Sequence, residues 1–232
     1  MAWNGDWRLL LALLLLGAAM ALTQRRGLFA LGWGALVVAF VSPLCALTVA
    51  LFSARSAHHI LLLTIVAPLL GAALPQWGRR VASTWSLLAT LVALTLWHVP
   101  AVYTLAWQSH HVYWLMQCAL MLPAVAFWAR ILAVLQQPHT LTANESIGAL
   151  AQIVALAGVM GLIGAVLTFA PEVLYPEHGM APLAYGLEPL QDQQLGGLLM
   201  WVPGFVPLAV IAGAVLRHAW RSAGQGAKVA IP

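Results

Sequence analysis

The chain has 232 residues, 62% of them hydrophobic and 7% charged, and a formal net charge of +4. A soluble domain carries about 25% charged residues, so these proportions exclude a water-covered globule and point to an integral membrane protein with mean hydropathy +0.91. The ten Lys and Arg lie at the ends of apolar runs, which fits membrane orientation rather than a nucleic-acid surface.

Apolar runs of about the bilayer-crossing length (~20 residues) recur along the whole chain. They predict one integral membrane domain over residues 1–232, an all-α bundle of seven spans: Trp7–Thr23, Leu28–Leu51, His58–Leu74, Val81–Trp97, His111–Trp128, Ile147–Ala170 and Leu195–Leu216. Helices are expected because lipid offers no partner for unpaired backbone groups, and the alternation of a membrane barrel is absent. Ala19-Met20-Ala21 has the pattern of a signal-peptide cleavage site, but Arg25-Arg26 directly after it fits a retained first helix ending in the cytoplasm. With the N-terminus outside and the C-terminus cytoplasmic, Arg25, Arg26, Arg79, Arg80, Arg130, Arg217, Arg221 and Lys228 fall inside, and only Arg8 and Arg55 fall outside. That is a clear positive-inside bias.

The inner loop Arg130–Ser146 offers Thr142, Asn144 and Ser146 as caps for the sixth helix. The outer loop Pro171–Gln194 is the longest, and long loops in compact folds tend to be functional. On this topology His58, His59, His98, His110, His111 and His178 gather at the outer side, with His139 and His218 opposite. Imidazole ligates copper, zinc and iron and carries protons, and ionisable groups at membrane depth usually mark a site. Interfacial histidines bonded to water and headgroups would look the same one by one. Asp192 leads into the seventh helix either as a site carboxylate or as an N-cap. Met200, two turns on, is either a thioether ligand or packing. Cys45 and Cys118 lie inside apolar runs, where a thiol is ordinarily a small apolar residue, although sulfur also suits Cu(I).

Several stretches, in order, resemble the CtaG family of cytochrome c oxidase assembly factors. They are Ser42-Pro43-Leu44, Phe52-Ser53-Ala54, His59-Ile60-Leu61-Leu62, Ala67-Pro68, Trp97-His98 with Pro100 and Tyr103, and Phe127-Trp128. Leu174-Tyr175-Pro176, Asp192-Gln193-Gln194-Leu195 with Gly197, and Met200-Trp201 with Pro203 complete the set, which spans residues 40 to 216. The resemblance implies a polytopic protein of the bacterial inner membrane that is no enzyme. Such a protein helps to deliver copper, held transiently, to a haem-copper oxidase whose subunit is its partner in the bilayer. Carried over by position, the implied metal ligands are His59, His98, His111, Asp192 and Met200, with His58, His110, Cys45 and Cys118 as further candidates. The chain differs from many relatives in having Arg55 where they place a histidine and Cys45 where they place an acid.

Three competing readings remain: a metal-free membrane chaperone for an oxidase subunit, a haem-binding redox protein, and a proton-coupled transporter. The nearly apolar mid-span positions count against the last two. A homo-oligomer is compatible with all of them.

Overall fold

With few charges and no water to serve the backbone, the chain satisfies its peptide groups within helices. The computed structural model describes residues 3–78, 82–136 and 143–229, which are all-helical and contain no strand. The helices are α1 (Trp7–Ala18), α2 (Arg26–Val41), α3 (Pro43–Ala50), α4 (Phe52–Leu61), α5 (Ala67–Ala73), α6 (Pro75–Gly78), α7 (Ser83–Trp97), α8 (Pro100–Gln108), α9 (His110–Gln136), α10 (Ala143–Phe169), α11 (Pro189–Trp201) and α12 (Phe205–Val229). Arg79, Arg80, Val81, His139 and Thr142 lie outside the described residues.

Among the described residues, four helical stretches are long and apolar enough to cross a membrane: Phe52–Ala73, His110–Ala133, Asn144–Phe169 and Pro189–Ser222. The number is six if each bent pair counts as one span, with α2 and α3 meeting at 49° and α7 and α8 at 82°. Both bends have a proline just past the break, Pro43 and Pro100, each at the first turn of the second helix. Proline is tolerated there because its missing N–H is an orphan anyway. The first expected span is a shorter apolar stretch, Trp7–Leu22.

One boundary moves in a way that matters. The helix expected to begin at His58 begins at Phe52, so His58 and His59 lie well inside it rather than at its mouth. From α4 the helix continues through a π-helical turn, Leu62–Val66, into α5. Pro68 cannot donate to the carbonyl four residues earlier, and wider turns are one way to absorb such a gap. Trp128, fully buried on α9, donates its indole N–H to the Leu63 carbonyl at 2.9 Å within this turn.

In a bilayer, helices associate through close packing rather than through escape from water. The α10–α11 contact shows how close. A Cβ on Gly197 would stand 2.5 Å from the Gly164 carbonyl oxygen, and one on Gly164 would stand 2.8 Å from that of Gly197. Phe29, Leu62, Leu63, Met116, Leu120, Phe127 and Trp128 fill the centre. Leu31, Val92, Leu115, Leu122, Val154, Leu162 and Val210 are exposed, as a lipid-facing belt requires.

Candidate functional site

The singular polar residues come together at one end of the bundle, and the motif Asp192-Gln193-Gln194 organises them. The segment before α11 is capped by Glu188 in a capping box with Gln191, so Asp192 lies inside the first turn instead of capping its own helix. Its buried carboxylate reaches across to α4, whose own N-cap residue Leu51 has no side-chain acceptor. It accepts from the backbone N–H of Phe52 at 2.6 Å and of Ser53 at 3.1 Å, and from the Ser53 hydroxyl. A carboxylate at a helix N-terminus satisfies orphan donors and complements the helix dipole.

The next two side chains tie down other backbone. Gln193 accepts from Leu174 N–H at 2.6 Å and donates to the Glu172 carbonyl at 3.1 Å, and Gln194 donates to the Ala170 carbonyl at the end of α10 at 3.2 Å. The long loop is thereby docked over the helix ends. Tyr175 stacks on Phe52 with centroids 4.4 Å apart and donates its hydroxyl to the His98 carbonyl at 2.6 Å. Glu177 accepts from the Thr104 hydroxyl.

His178 is buried beneath this loop. Its Nδ1 faces the Val49 carbonyl at 3.1 Å and must donate, so its Nε2 accepts from the Tyr103 hydroxyl at 2.7 Å. Burial, reinforced by the nearby Arg55 guanidinium, holds its pKa below the ordinary imidazole range. The Val49 hydrogen bond and the charges of Asp192 and Glu177 oppose that shift. A neutral imidazole suits this pair of contacts.

Three further imidazoles form a row. His58 and His59 have ring centroids 6.0 Å apart, and His59 and His98 are 6.1 Å apart. His98 occupies the break between α7 and α8, where its Nδ1 donates to the Leu94 carbonyl at 2.7 Å, which makes Nε2 the acceptor nitrogen of the neutral ring. The Nε2 atoms of His58 and His59 are buried without a hydrogen-bond partner. Buried polar atoms are rarely left so.

Over residues 9–222 the chain matches the family described as the cytochrome c oxidase caa3 assembly factor, CtaG. It belongs to this family. No curated protein and no solved structure matches the chain. Of the residues expected as metal ligands in this CtaG-family chain, the structure brings His58, His59 and His98 together. It leaves His110 and His111 exposed at the start of α9, where His110 Nε2 accepts from the Trp114 indole at 2.9 Å. Asp192 is committed to α4. Met200 is buried where α10 and α11 meet, its Cβ facing Gly164. Cys45 and Cys118 are free thiols lining separate cavities. Among the described residues no three His, Cys, Asp or Glu side chains are arranged around one metal position.

Arg55, Tyr103, Tyr175, His178 and Gln193 belong to this end of the CtaG-family bundle but were not expected as site residues. Arg55 had a signal in the sequence, as one of only two arginines, with Arg8, on the side opposite to all the other basic residues assigned. His178 was placed at the outer side with five other histidines, but nothing in the sequence singled it out among them.

Proposed function

We propose that this CtaG-family chain assists assembly of a haem-copper oxidase by holding a copper ion, as cargo, between His59 and His98. The supporting observation is the 6.1 Å separation of these two rings together with the unpartnered buried Nε2 of His59. Rings this close can share one ion through metal–nitrogen bonds of about 2 Å, and imidazole suits copper. A site of two neutral nitrogens without thiolate binds weakly enough to release its ion. His58, next in the row, would pass the ion on, and exposed His110 and His111 would meet it first. In this reading the chain crosses the bacterial inner membrane seven times with its N-terminus outside, performs no catalysis, and docks an oxidase subunit against its lipid-facing helices.

The test is anaerobic Cu(I) titration of the purified protein against a chelator, wild type beside His59→Ala and His98→Ala. One ion per chain, with at least tenfold weaker binding in either folded variant, supports the site. No binding by folded wild type removes the carrier role.

A second reading, a metal-free chaperone for an oxidase subunit, is favoured by a different observation. Asp192, Gln193, Gln194 and His178 all spend their hydrogen bonds on the chain's own backbone or on Tyr103 and Ser53. That reading predicts normal oxidase assembly in cells carrying His59→Ala, and lost assembly after substitutions on the exposed helix faces.

A further inference from the structure

Arg55 is a buried cation without an anion. Its side chain, 6% exposed, lies one turn before His58 and His59 on α4. Its Nε donates to the Thr48 carbonyl at 3.2 Å, and the guanidinium lies over the rings of Tyr103 and Trp107 at 5.0 and 5.1 Å and meets the Tyr103 hydroxyl. Its Nη1 is buried with no partner. Among the described residues no carboxylate pairs with it. Arginine stays protonated under all ordinary conditions, and a buried charge without a counter-charge is far costlier than a paired one.

The guanidinium lines an open cavity of about 490 Å³, whose walls include Asp6, Trp107, His110, Tyr113 and Trp114. We propose that this cavity binds a singly charged phosphate group on Arg55, supplied either by a phospholipid headgroup or by free phosphate. Guanidinium matches phosphate oxygens through paired donors, and Nη1 is the donor left over. One cation calls for one negative charge. Asp6, whose carboxylate already accepts from the Arg8 N–H at 2.8 Å, disfavours a second. A bare phosphate fills only part of the space, and the aromatic walls suit the organic remainder of an ester. This site is separate from the His59–His98 pair and stands whether or not that pair holds copper.

The test uses the full chain extracted in mild detergent, with bound phospholipid counted by native mass spectrometry. Delipidated protein is then titrated with inorganic phosphate while its tryptophan fluorescence is followed. Wild type is expected either to retain one phospholipid per chain, which assigns the headgroup, or to respond only to inorganic phosphate, which assigns the free anion. Arg55→Gln should weaken binding at least tenfold, and Arg55→Lys less. Because Arg55 also holds Thr48 and the aromatic rings, a second variant leaves it in place. Val49→Trp, at an exposed position on the cavity wall, should block the cavity and lose the ligand equally. The proposal is overturned if wild type retains no lipid and ignores phosphate. Folded Arg55→Gln or Val49→Trp binding as wild type does would overturn it too.

Discussion

The Asp192 carboxylate caps the backbone N–H groups of Phe52 and Ser53, 140 and 139 residues away in sequence, at 2.6 and 3.1 Å. The helix that carries His58 and His59 therefore takes its starting point from α11 rather than from its own flanking residues. Asp192→Ala would leave two buried backbone N–H groups and the Ser53 hydroxyl unmet. The hydroxyl can turn to another acceptor, but each buried N–H left orphaned costs about 1–3 kcal/mol, so destabilisation of about 2–6 kcal/mol is predicted, with Asp192→Asn milder. Thermal unfolding in detergent checks it. A melting temperature equal to wild type in Asp192→Ala would contradict the capping role.

Unpartnered nitrogens at His58 and His59 carry a stability cost in the metal-free protein. His59→Leu is predicted to raise apparent stability by about 1–2 kcal/mol, because replacing an unsatisfied buried polar group with an apolar one of similar size removes its desolvation penalty. The same variant should lose Cu(I) binding. Opposite movements of stability and function are common at sites. A less stable His59→Leu would mean that the imidazole is satisfied in a way these contacts do not include.

The docked loop should respond to acid through His178. Its folded pKa is below the ordinary value of about 6.5 because of burial and Arg55, with Val49, Asp192 and Glu177 pulling the other way. The unfolded or undocked state thus binds the proton more readily, so stability falls as pH drops through about 6.5 towards the lowered folded value. Hydrogen-exchange protection across residues 171–188, taken relative to the intrinsic amide rate at each pH, should be lower at pH 5 than at pH 7.5. The difference should shrink in His178→Phe, and equal protection at both pH values in wild type would exclude this switch.

Tyr175→Phe keeps the stacking on Phe52 and removes only the hydroxyl bond to the His98 carbonyl. The expected loss is about 1 kcal/mol, accompanied by weaker Cu(I) binding if the His98 ring is positioned from its backbone. Unchanged copper affinity together with the stability loss would restrict Tyr175 to holding the loop.

Gly197→Ala should be among the most damaging single changes, since its Cβ would meet the Gly164 carbonyl at 2.5 Å and the Thr168 N–H at 2.6 Å. Only separation of the α10 and α11 backbones relieves both contacts. Poor accumulation of the variant in membranes is predicted. Gly158→Ala, where a Cβ meets nothing within 4 Å, is the control.

The apolar runs made the helical class and most helix cores legible in the sequence, because burial in lipid constrains composition along every turn. Charge and hydropathy assign six histidines to one end, but nothing in the sequence marks which of them meet: His58, expected only as a further candidate, joins His59 and His98 in a row, while His111, expected with those two, is exposed at the start of α9. The sequence offers Asp192 as a ligand or as a cap of its own helix, whereas Glu188 caps that helix and the Asp192 carboxylate caps α4. Its partner is distant in sequence, and nothing in local spacing marks a cap given to another helix. His178 and Tyr175 were hidden similarly, since a loop's sequence does not say which helix ends it covers. The bend before Pro43 falls inside one expected span, where hydropathy averages it away, whereas the end at Trp97 is legible and the helix Pro100–Gln108 after it is not.

The π-helical turn at Leu62–Val66 makes helix length a variable of the site. An α-helix advances about 100° per residue, so removing any one residue from this turn permits ordinary α-helical winding from Phe52 up to Pro68, whose missing N–H still interrupts the ladder there. His58 and His59 would then rotate by roughly that angle relative to Pro68 and α9, away from His98. Single-residue deletions here should act as rotations, tolerated by the bundle yet uncoupling the two halves of the imidazole row.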